Sequence, residues 1–477
     1  MLRLNPYTEL AYHSKACKPG CCFVAISGLQ TDGHQYISEA VRNGAKTVVV
    51  EREVDVPRGV AKIVVEDSRD ALARLSAFHF NEPTRELTLV GVTGTNGKTT
   101  VTSLLSHIAK QAGLSSGLLG TLHTPSGRTT PESYDLQKIF RNMAAGGATH
   151  AFMEVTSHAL QLKRVTGCHF NGAVFTNLSR DHLDFHENME NYFSQKARLF
   201  RQHLVVSEKK NLWAVINADD PYGRTLAGDL PARVWLFSQK GGAEISLQGA
   251  AAAWEGLKLE VKTPQGTVSL HSPLKGRFQV NNLLAAVAAS LAMEFPMEAI
   301  TAGIASFSGV PGRMEAVPNG RKNKIVVDYA HTPAALENVL EALRELNPER
   351  IITVFGCGGD RDRGKRPQMG KIASQKSDIL VVTSDNPRSE DPQKILNEIL
   401  GGVQPGTEKY AVADRRAAIA RALDLAKEGD CVLIAGKGHE TYQEIAGEKR
   451  LFDDREVVRE ILDRGPRTKD QGPGTRD

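Results

Sequence analysis

The chain has 477 residues, 41% hydrophobic, 24% charged and 6% aromatic, globular proportions that exclude wholesale disorder, a collagen-like fibre and a membrane bundle. At roughly 150 residues per domain, this length implies three domains. Lys and Arg number 59 against 55 Asp and Glu, a net charge of +4, too weak an overall field to mark a nucleic-acid binder, so any anionic ligand must be held by a local cluster.

No apolar run approaches the roughly 18 residues of a bilayer span. The opening MLRLNPYTEL lacks the apolar core of a secretory signal. Neither a membrane nor a nucleic-acid partner is expected. Cys17, Cys21, Cys22, Cys168, Cys357 and Cys431 read as reduced thiols of a cytoplasmic protein, because a chain this long builds its core without staples. Cys17, Cys21 and Cys22 lack the second Cys or His pair that would complete a zinc site, so they read as packing residues.

In chain order, residues 1–86 form a small α/β unit. KTVVVE (46–51) and AKIVVE (61–66) are β-branched strand runs, preceded by a helix pattern, QYISEAVRNGAK, that ends near Gly44. A second unit, 87–312, opens with strand ELTLV, a glycine-punctuated loop and a helix closed near Gly113. THAFMEVTSH and NGAVFTNLSRDHLDFH follow as strands with polar ends. Residues 240–275 alternate weakly and suggest an antiparallel excursion, and QVNNLLAAVAASLAMEF and EAITAGIASFSGV are helices. From 313 to 464, KIVVDYAH, RIITVFGCGGDRD, DILVVTSDNPR and DCVLIAGKGHE alternate with helices such as PAALENVLEALREL and DRRAAIARALDLAKEG. The expected fold is therefore α/β in three domains, with a central P-loop-type, mostly parallel sheet and a C-terminal doubly wound, Rossmann-like sheet. The tail, 465–477, is rich in Gly, Pro and charge and is expected to be disordered.

In such sheets ligands bind beyond the carboxyl ends of the strands, and the polar clusters fall there. Gly94-Thr95-Asn96-Gly97-Lys98-Thr99-Thr100 joins a strand to a helix. Glycines let backbone N–H groups close around phosphate oxygens, the helix N-terminus adds partial positive charge, Lys98 supplies a point charge and Thr99 a Mg²⁺ ligand. The spacing is not that of a strict P-loop, since Val92 stands five residues before Gly97. Glu154, Thr156 and the run Asn177 to His186 end the next two strands. These groups suit one or two Mg²⁺ ions, although Mg²⁺ prefers oxygen and a histidine ligand would be a departure.

TGTNGKTT, EVTSH, TNLSRDHLDFH, KGRFQVNN, VDYAHTP, GCGGDRDRGKRP, DNPR and GKGHE, in this order over nearly the whole chain, resemble the Mur ligases. The resemblance implies an ATP-dependent, ADP-forming ligase of peptidoglycan precursor synthesis that activates a carboxylate as an acyl phosphate. Catalysis would then rest on positioning and charge neutralisation. It implies Lys98, His182 and Lys196 as catalytic residues, and Thr99, Glu154, His182 and Lys196 as the residues of two Mg²⁺ sites, with Lys196 carbamylated by CO₂. It places ATP on 94–100 and on Asn281, Arg313, Asp328 and His331. Asn281 alone would read as a helix N-cap.

The same resemblance gives the first domain a UDP-N-acetylmuramoyl-L-Ala-D-Glu substrate, through Ser14 and His34, with Thr129, Thr130, Thr156 and Arg164 near its peptide. His13-Ser14-Lys15 stands where the family has Asp-Ser-Arg, and Leu162 replaces a glutamine. For the amine, Asp385, Asn386, Pro387 and Arg388 look like the diaminopimelate signature, joined by Arg361, Gly436 and Glu440. A planar guanidinium suits the distal carboxylate of meso-diaminopimelate, which lysine lacks. A lysine-adding ligase of the same type remains an alternative reading. So does a folylpolyglutamate synthase-like ligase, which would have no use for the first domain or DNPR. A nucleotide-binding scaffold would have lost Lys98, Glu154, His182 or Lys196, and a nucleic-acid motor would need basic-aromatic stripes. A monomer is expected.

Overall fold

The structure, a computed structural model, describes residues 8–28, 31–124, 127–228, 230–320 and 322–463. The tail over 465–477 and the first seven residues lie outside the described residues. Three sheets in succession divide the chain into three lobes, so the expected α/β class and three-part organisation are both found.

The first lobe is a four-stranded parallel sheet, β1 (Leu10–Ala11), β2 (Cys22–Val24), β3 (Thr47–Val50) and β4 (Ala61–Val64), in that spatial order. Cys17, Cys21, Phe23, Val48 and Val50 pack one face of it. All six cysteines are buried and free, and burial pushes the Cys22 thiol up to about 12.

The second sheet has nine strands. They are β5 (Thr88–Thr93), β6 (Ser116–Leu119), β7 (His150–Glu154), β8 (Gly172–Phe175), β9 (Trp213–Asn217), β10 (Arg233–Ser238), β11 (Ile245–Ala253), β12 (Gly256–Thr263) and β13 (Gly266–Ser272). Their order is β13-β12-β11-β10-β9-β8-β5-β7-β6. Pairing is parallel from β6 to β11, and the β11–β13 meander is antiparallel. The excursion expected over 240–275 is that meander. β9 and β10 were not foreseen. The chain runs from β5 to the edge at β6, returns to β7 and crosses to β8, so the order reverses at β5. That reversal opens a crevice at the strand's carboxyl end, where the glycine-rich loop stands. Helices Lys98–Gln111 and Gln279–Ala292 cover one face with Leu104, Leu105, Ile108, Leu283 and Val287. Helix Ser133–Ala145 contributes Leu136 and Phe140 to the other core.

The third sheet comprises β14 (Glu315–Ala316), β15 (Lys324–Asp328), β16 (Ile351–Phe355), β17 (Ile379–Val382), β18 (Glu408–Ala411) and β19 (Cys431–Ala435), ordered β14-β15-β19-β16-β17-β18. Only β14 is antiparallel. Cores lie on both faces, the doubly wound arrangement expected from near-continuous apolar strands. A hairpin, β20 (Tyr442–Ile445) and β21 (Glu448–Leu451), follows.

Arg415 and Asp454 are both fully buried in this lobe and form a two-point ion pair at 2.8 and 2.7 Å. Arg415 also donates to the carbonyls of Ser384 (3.3 Å) and Ala435 (3.0 Å), just beyond β17 and at the end of β19. It therefore fixes the separation of two loops on the ligand side. Removing one partner of such a pair leaves an uncompensated buried charge. Asp454→Ala is expected to lower the unfolding free energy by about 3–5 kcal/mol, read from urea denaturation followed by circular dichroism.

Candidate active site

The loop after β5 takes its shape from two glycines in the left-handed region, Gly94 (φ +147°) and Gly97 (φ +87°). A Cβ on Gly94 would stand 1.9 Å from the Thr176 hydroxyl, and one on Gly97 2.2 Å from Oδ1 of Asn282. Neither position tolerates a side chain. The loop is propped by the segment after β8. Asn177 Oδ1 accepts from the Asn96 N–H at 3.0 Å, the Thr176 hydroxyl donates to the Asn96 carbonyl at 2.6 Å, and Thr95 N–H donates to the Asn177 carbonyl at 2.9 Å. Two sequence motifs 80 residues apart thus make one cradle at the start of helix Lys98–Gln111.

Lys98 Nζ donates back to the carbonyls of Gly94 (2.9 Å) and Thr95 (2.8 Å). Lys196, from helix Met189–Arg198, is almost wholly buried and donates to the same Gly94 carbonyl at 2.8 Å. Two ammonium groups therefore share one oxygen. Burial lowers the pKa of Lys98, against the opposing fields of Glu154 and Asp181. Lys196 is lowered further, by burial first and then by the Lys98 charge, with Asp181 opposing. Its Nζ lies 4.5 Å from the Tyr192 ring centroid, and the Tyr192 hydroxyl sits 3.3 Å from Thr95 Oγ1.

Glu154 is buried at the end of β7, where Oε1 accepts from Thr121 N–H at 2.9 Å. Thr99 is buried in the first turn of its helix. His182 is exposed, with a left-handed backbone (φ +52°) and its Nε2 3.4 Å from Asp181. His186 is buried and bonds Ser157 Oγ at 2.8 Å, tying the loop after β7 to the loop after β8. Among the described residues, no three His, Cys, Asp or Glu side chains form a metal-holding group. The oxygen donors Thr99 and Glu154 fit one Mg²⁺. Lys196 as an ammonium would repel a cation and fits only after conversion to an anion.

Beside the cradle, Asn281 lies inside helix Gln279–Ala292, whose N-cap position is Phe278. Asn281 is therefore not the cap its type would suggest. Its Oδ1 is shielded from solvent and meets no protein donor, a buried acceptor left without its hydrogen bond. Asp328, at the end of β15, accepts from Met314 N–H and Ala330 N–H, each at 2.7 Å, so it anchors the linker into the third lobe. Burial raises its pKa, against the Arg313 charge. Arg313 stacks on Tyr329 at 4.6 Å, and His331 Nδ1 lies 2.9 Å from the Tyr329 carbonyl.

The loops after β17 and β19 are locked together. Lys437, fully buried, donates to Asn386 Oδ1 (3.1 Å) and Glu440 Oε2 (2.9 Å), and Asn386 Nδ2 donates to the same Glu440 oxygen at 2.9 Å. Sequence reasoning missed Lys437, whose one signal was its place inside GKGHE. Asp385 is buried, with Oδ2 unpartnered and facing Gly436, where a Cβ would come within 2.6 Å. Arg388 also has a left-handed backbone (φ +50°); its Nη1 donates to the Gly359 carbonyl at 2.7 Å, and Nε lies 3.6 Å from Glu444. Arg361 Nη1 donates to the neighbouring Asp360 carbonyl at 3.2 Å. Pro387 precedes Arg388, and its carbonyl receives Glu390 N–H at 3.0 Å.

In the first lobe, Ser14 Oγ donates to Glu39 at 2.6 Å. His34 accepts from Glu51 N–H at Nε2 (3.0 Å), so its Nδ1 carries the proton donated to Asp32 at 2.6 Å. Both ring nitrogens thus serve the loop itself. Thr129 Oγ1 lies 3.1 Å from Thr121 Oγ1, and Thr130 donates to the Glu154 carbonyl at 2.9 Å. Thr156 caps the short helix Ser157–Gln161, and Arg164 Nη1 donates to the Thr130 carbonyl at 3.1 Å. These four residues share one wall beside Glu154.

A phosphate cradle at the reversal of one parallel sheet, with a doubly wound lobe on the other side of the crevice, is the framework of a three-domain, ATP-dependent ligase. Residues 6–80 match the profile described as Mur ligase family, catalytic domain. Residues 92–290 match the Mur ligase middle domain, and 312–438 the Mur ligase glutamate ligase domain. Two relatives named UDP-N-acetylmuramoyl-L-alanyl-D-glutamate--2,6-diaminopimelate ligase are 47% identical (Gloeobacter violaceus; 95% of this chain, 93% of that one) and 46% identical (Geobacter metallireducens; 95% and 94%). A solved structure of the same title is 34% identical, with a TM-score of 0.69 over 96% of this chain and 95% of that one. The chain belongs to the Mur ligase family.

Gly94→Ala is expected to weaken binding of a non-hydrolysable ATP analogue by about 10²-fold or more while the fold is kept, since the added methyl collides with Thr176 and strains a glycine-only conformation. Calorimetric titration checks this.

Proposed function

We propose that this chain joins meso-2,6-diaminopimelate to the D-Glu carboxylate of UDP-N-acetylmuramoyl-L-Ala-D-Glu, with ATP cleaved to ADP and phosphate. The observation that carries the reading is where the polar clusters stand in their sheets. The Gly94–Thr100 cradle, the Thr129–Thr130–Thr156–Arg164 wall and the locked DNPR and GKGHE loops all stand at strand carboxyl ends. A carboxylate is a poor electrophile, because amine attack would have to expel oxide. Backbone N–H groups of the loop and Lys98 hold the triphosphate, and a carboxylate oxygen attacks the γ-phosphorus as the bond to ADP breaks. The acyl phosphate has a good leaving group. The amine nitrogen bonds to the carbonyl carbon, the tetrahedral intermediate collapses with loss of phosphate, and the amine gives up a proton. No protein nucleophile is needed.

Thr99 and Glu154 would hold Mg²⁺, with His182 beside them, and the ion would neutralise charge on the phosphates. Lys196 becomes a carbamate in this reading. The reaction consumes a neutral amine and CO₂ and releases a proton, and the lowered pKa of Lys196 supplies the neutral amine. Asn281, Arg313, Asp328 and His331 form the nucleoside side of the ATP site. Ser14 and His34 belong to the uridine diphosphate side, His34 by shaping the loop. Arg388 and Arg361 meet the distal carboxylate of the amine, and Glu440, Asp385 and the backbone at Asn386, Pro387 and Gly436 meet its ammonium end. No helix among the described residues is long and apolar enough to cross a membrane. With nucleotide-linked substrates and all three lobes on one chain, we place the enzyme in the cytoplasm as a monomer.

A phosphate-release assay should need both UDP-N-acetylmuramoyl-L-Ala-D-Glu and an amine, and should prefer diaminopimelate over lysine and ornithine. Release with lysine alone, or with a folate substrate, would overturn the reading. Arg388→Ala is expected to raise the diaminopimelate KM by about 10²-fold, the scale of truncating a charge pair, with the ATP KM nearly unchanged. In CO₂-depleted buffer, activity should fall as pH is lowered, because protonation of Lys196 reverses carbamate formation, and bicarbonate should restore it. Lys196→Ala should lose activity that short carboxylic acids partly return, measured by the same assay.

A further inference from the structure

Where the first lobe meets the second, one carboxylate serves two arginines. Glu132 is buried at the start of helix Ser133–Ala145. Its Oε2 lies 3.5 Å from Nη1 of Arg69, on the first-lobe helix Ser68–His79, and 3.4 Å from Nε of Arg164, in the second lobe. Both separations exceed the roughly 2.7–2.9 Å of a charge-assisted hydrogen bond. Glu132 Oε1 is occupied by Ser133 N–H at 3.1 Å. Arg69 otherwise donates to the Ser27 carbonyl (3.2 Å) and Arg164 to the Thr130 carbonyl (3.1 Å). Arg164 Nε is shielded from solvent and has no hydrogen-bond acceptor.

Two neighbouring acids have partners of their own. Asp67 pairs with Lys163 at 2.7 Å, and Asp135 accepts from the Tyr12 hydroxyl at 2.6 Å. Two guanidinium groups, only 16% and 13% exposed, thus face one carboxylate. Burial lowers the pKa of Arg164, and Arg128 and Arg69 add to that effect while Glu132 opposes it. A partly desolvated excess cation of this kind calls for an anion. Thr130, whose carbonyl Arg164 holds, borders Glu154 and Thr156.

We infer that Arg69 is a specificity residue for the acyl substrate: with Arg164 it grips a carboxylate of the terminal D-glutamyl group across the junction of the first two lobes. This rests on the substrate reading above. Arg69 then does what Arg164 alone cannot, since it makes recognition of the peptide acid depend on both lobes being docked. Glu132 holds the two forks at the right separation and leaves one positive charge for the ligand.

The test is calorimetric binding, without ATP or amine, of UDP-N-acetylmuramoyl-L-Ala-D-Glu and of UDP-N-acetylmuramoyl-L-Ala, which lacks the acidic residue. Wild type should prefer the longer ligand. Arg69→Met should weaken that ligand about 30-fold and the shorter one less than about threefold, so the preference collapses. Arg69→Lys, which keeps the charge without the fork, should fall between. Equal weakening of both ligands would move Arg69 to the diphosphate and overturn the carboxylate pairing. No change in either would leave Arg69 a strut between lobes and overturn it as well. A wild type with no preference for the longer ligand would instead remove the substrate reading, and this inference with it. Thermal melts of both variants keep loss of fold from passing as loss of recognition.

Discussion

The carbonyl oxygen of Gly94 receives two ammonium groups, Lys98 and Lys196. That sharing is the constraint around which the site is organised. Like charges brought together in a buried site disfavour the second proton, so the pair resists being doubly charged unless an anion arrives. In the proposed reading a triphosphate would relieve it from the Lys98 side, and conversion of Lys196 to an anion from the other. The carbonyl faces both because Gly94 adopts a backbone open to glycine, with Thr176 filling the space a side chain would need. Electrostatic preorganisation of this kind has its cost met in folding, before any substrate binds.

The other parts of the site are held by similar economies of few groups. Asp328 spends both carboxylate oxygens on backbone amides, one of them in the linker at Met314. The linker between the second and third lobes is therefore tied to the end of β15. Arg415 and Asp454 set the distance between the loops after β17 and β19 from beneath, and Lys437 closes those loops from within. These residues need touch no substrate to decide where the substrate-facing groups stand.

Much of this was legible in the residue order. Apolar runs of four or five residues ending in polar clusters gave the parallel strands and their ligand-side loops, because buried parallel strands leave no polar face to confuse the pattern. The Gly94–Thr100 loop was legible because glycine and a Lys-Thr pair in a strand–helix junction answer a backbone requirement. β9 and β10 were missed: in LWAVINADD and RVWLFSQ the aromatic and apolar residues are too short a run to separate strand from buried helix. Partnership was the least visible property. His34 and Asn386 are polar residues in the expected places, yet both ends of each side chain bond within the protein. Glu132 and Arg69 carry no local signal, and Lys437 has only its place inside GKGHE, since their significance lies in contacts that only tertiary structure brings about.

The proposed amine pocket shows why charge type alone would not decide selectivity. Arg388 has Glu444 at 3.6 Å, and Lys437 has Glu440 at 2.9 Å. Each cation already has an acid, so neither is a bare charge awaiting a ligand. The two pairs differ in tightness. Lys437–Glu440 is short and shares its oxygen with Asn386, so Lys437 is committed to structure and Glu440 keeps only Oε1 for a ligand. Arg388–Glu444 is longer than a hydrogen bond, and Nη1 is held separately by Gly359, so an incoming carboxylate has to displace little to engage the fork. A lysine substrate would bring an ammonium to that end, where Glu444 could attract it but Arg388 would repel it at close range. Under the proposed assignment, discrimination between the two amines would depend on how firmly Glu444 stays beside Arg388. That contact is set by the backbone bridge in which Arg388 N–H donates to the Glu444 carbonyl at 3.0 Å and Ala446 N–H to the Arg388 carbonyl at 2.7 Å. Selectivity for an acidic tail would thus rest partly on the pairing of the DNPR loop with β20, a feature of the backbone rather than of the motif's side chains.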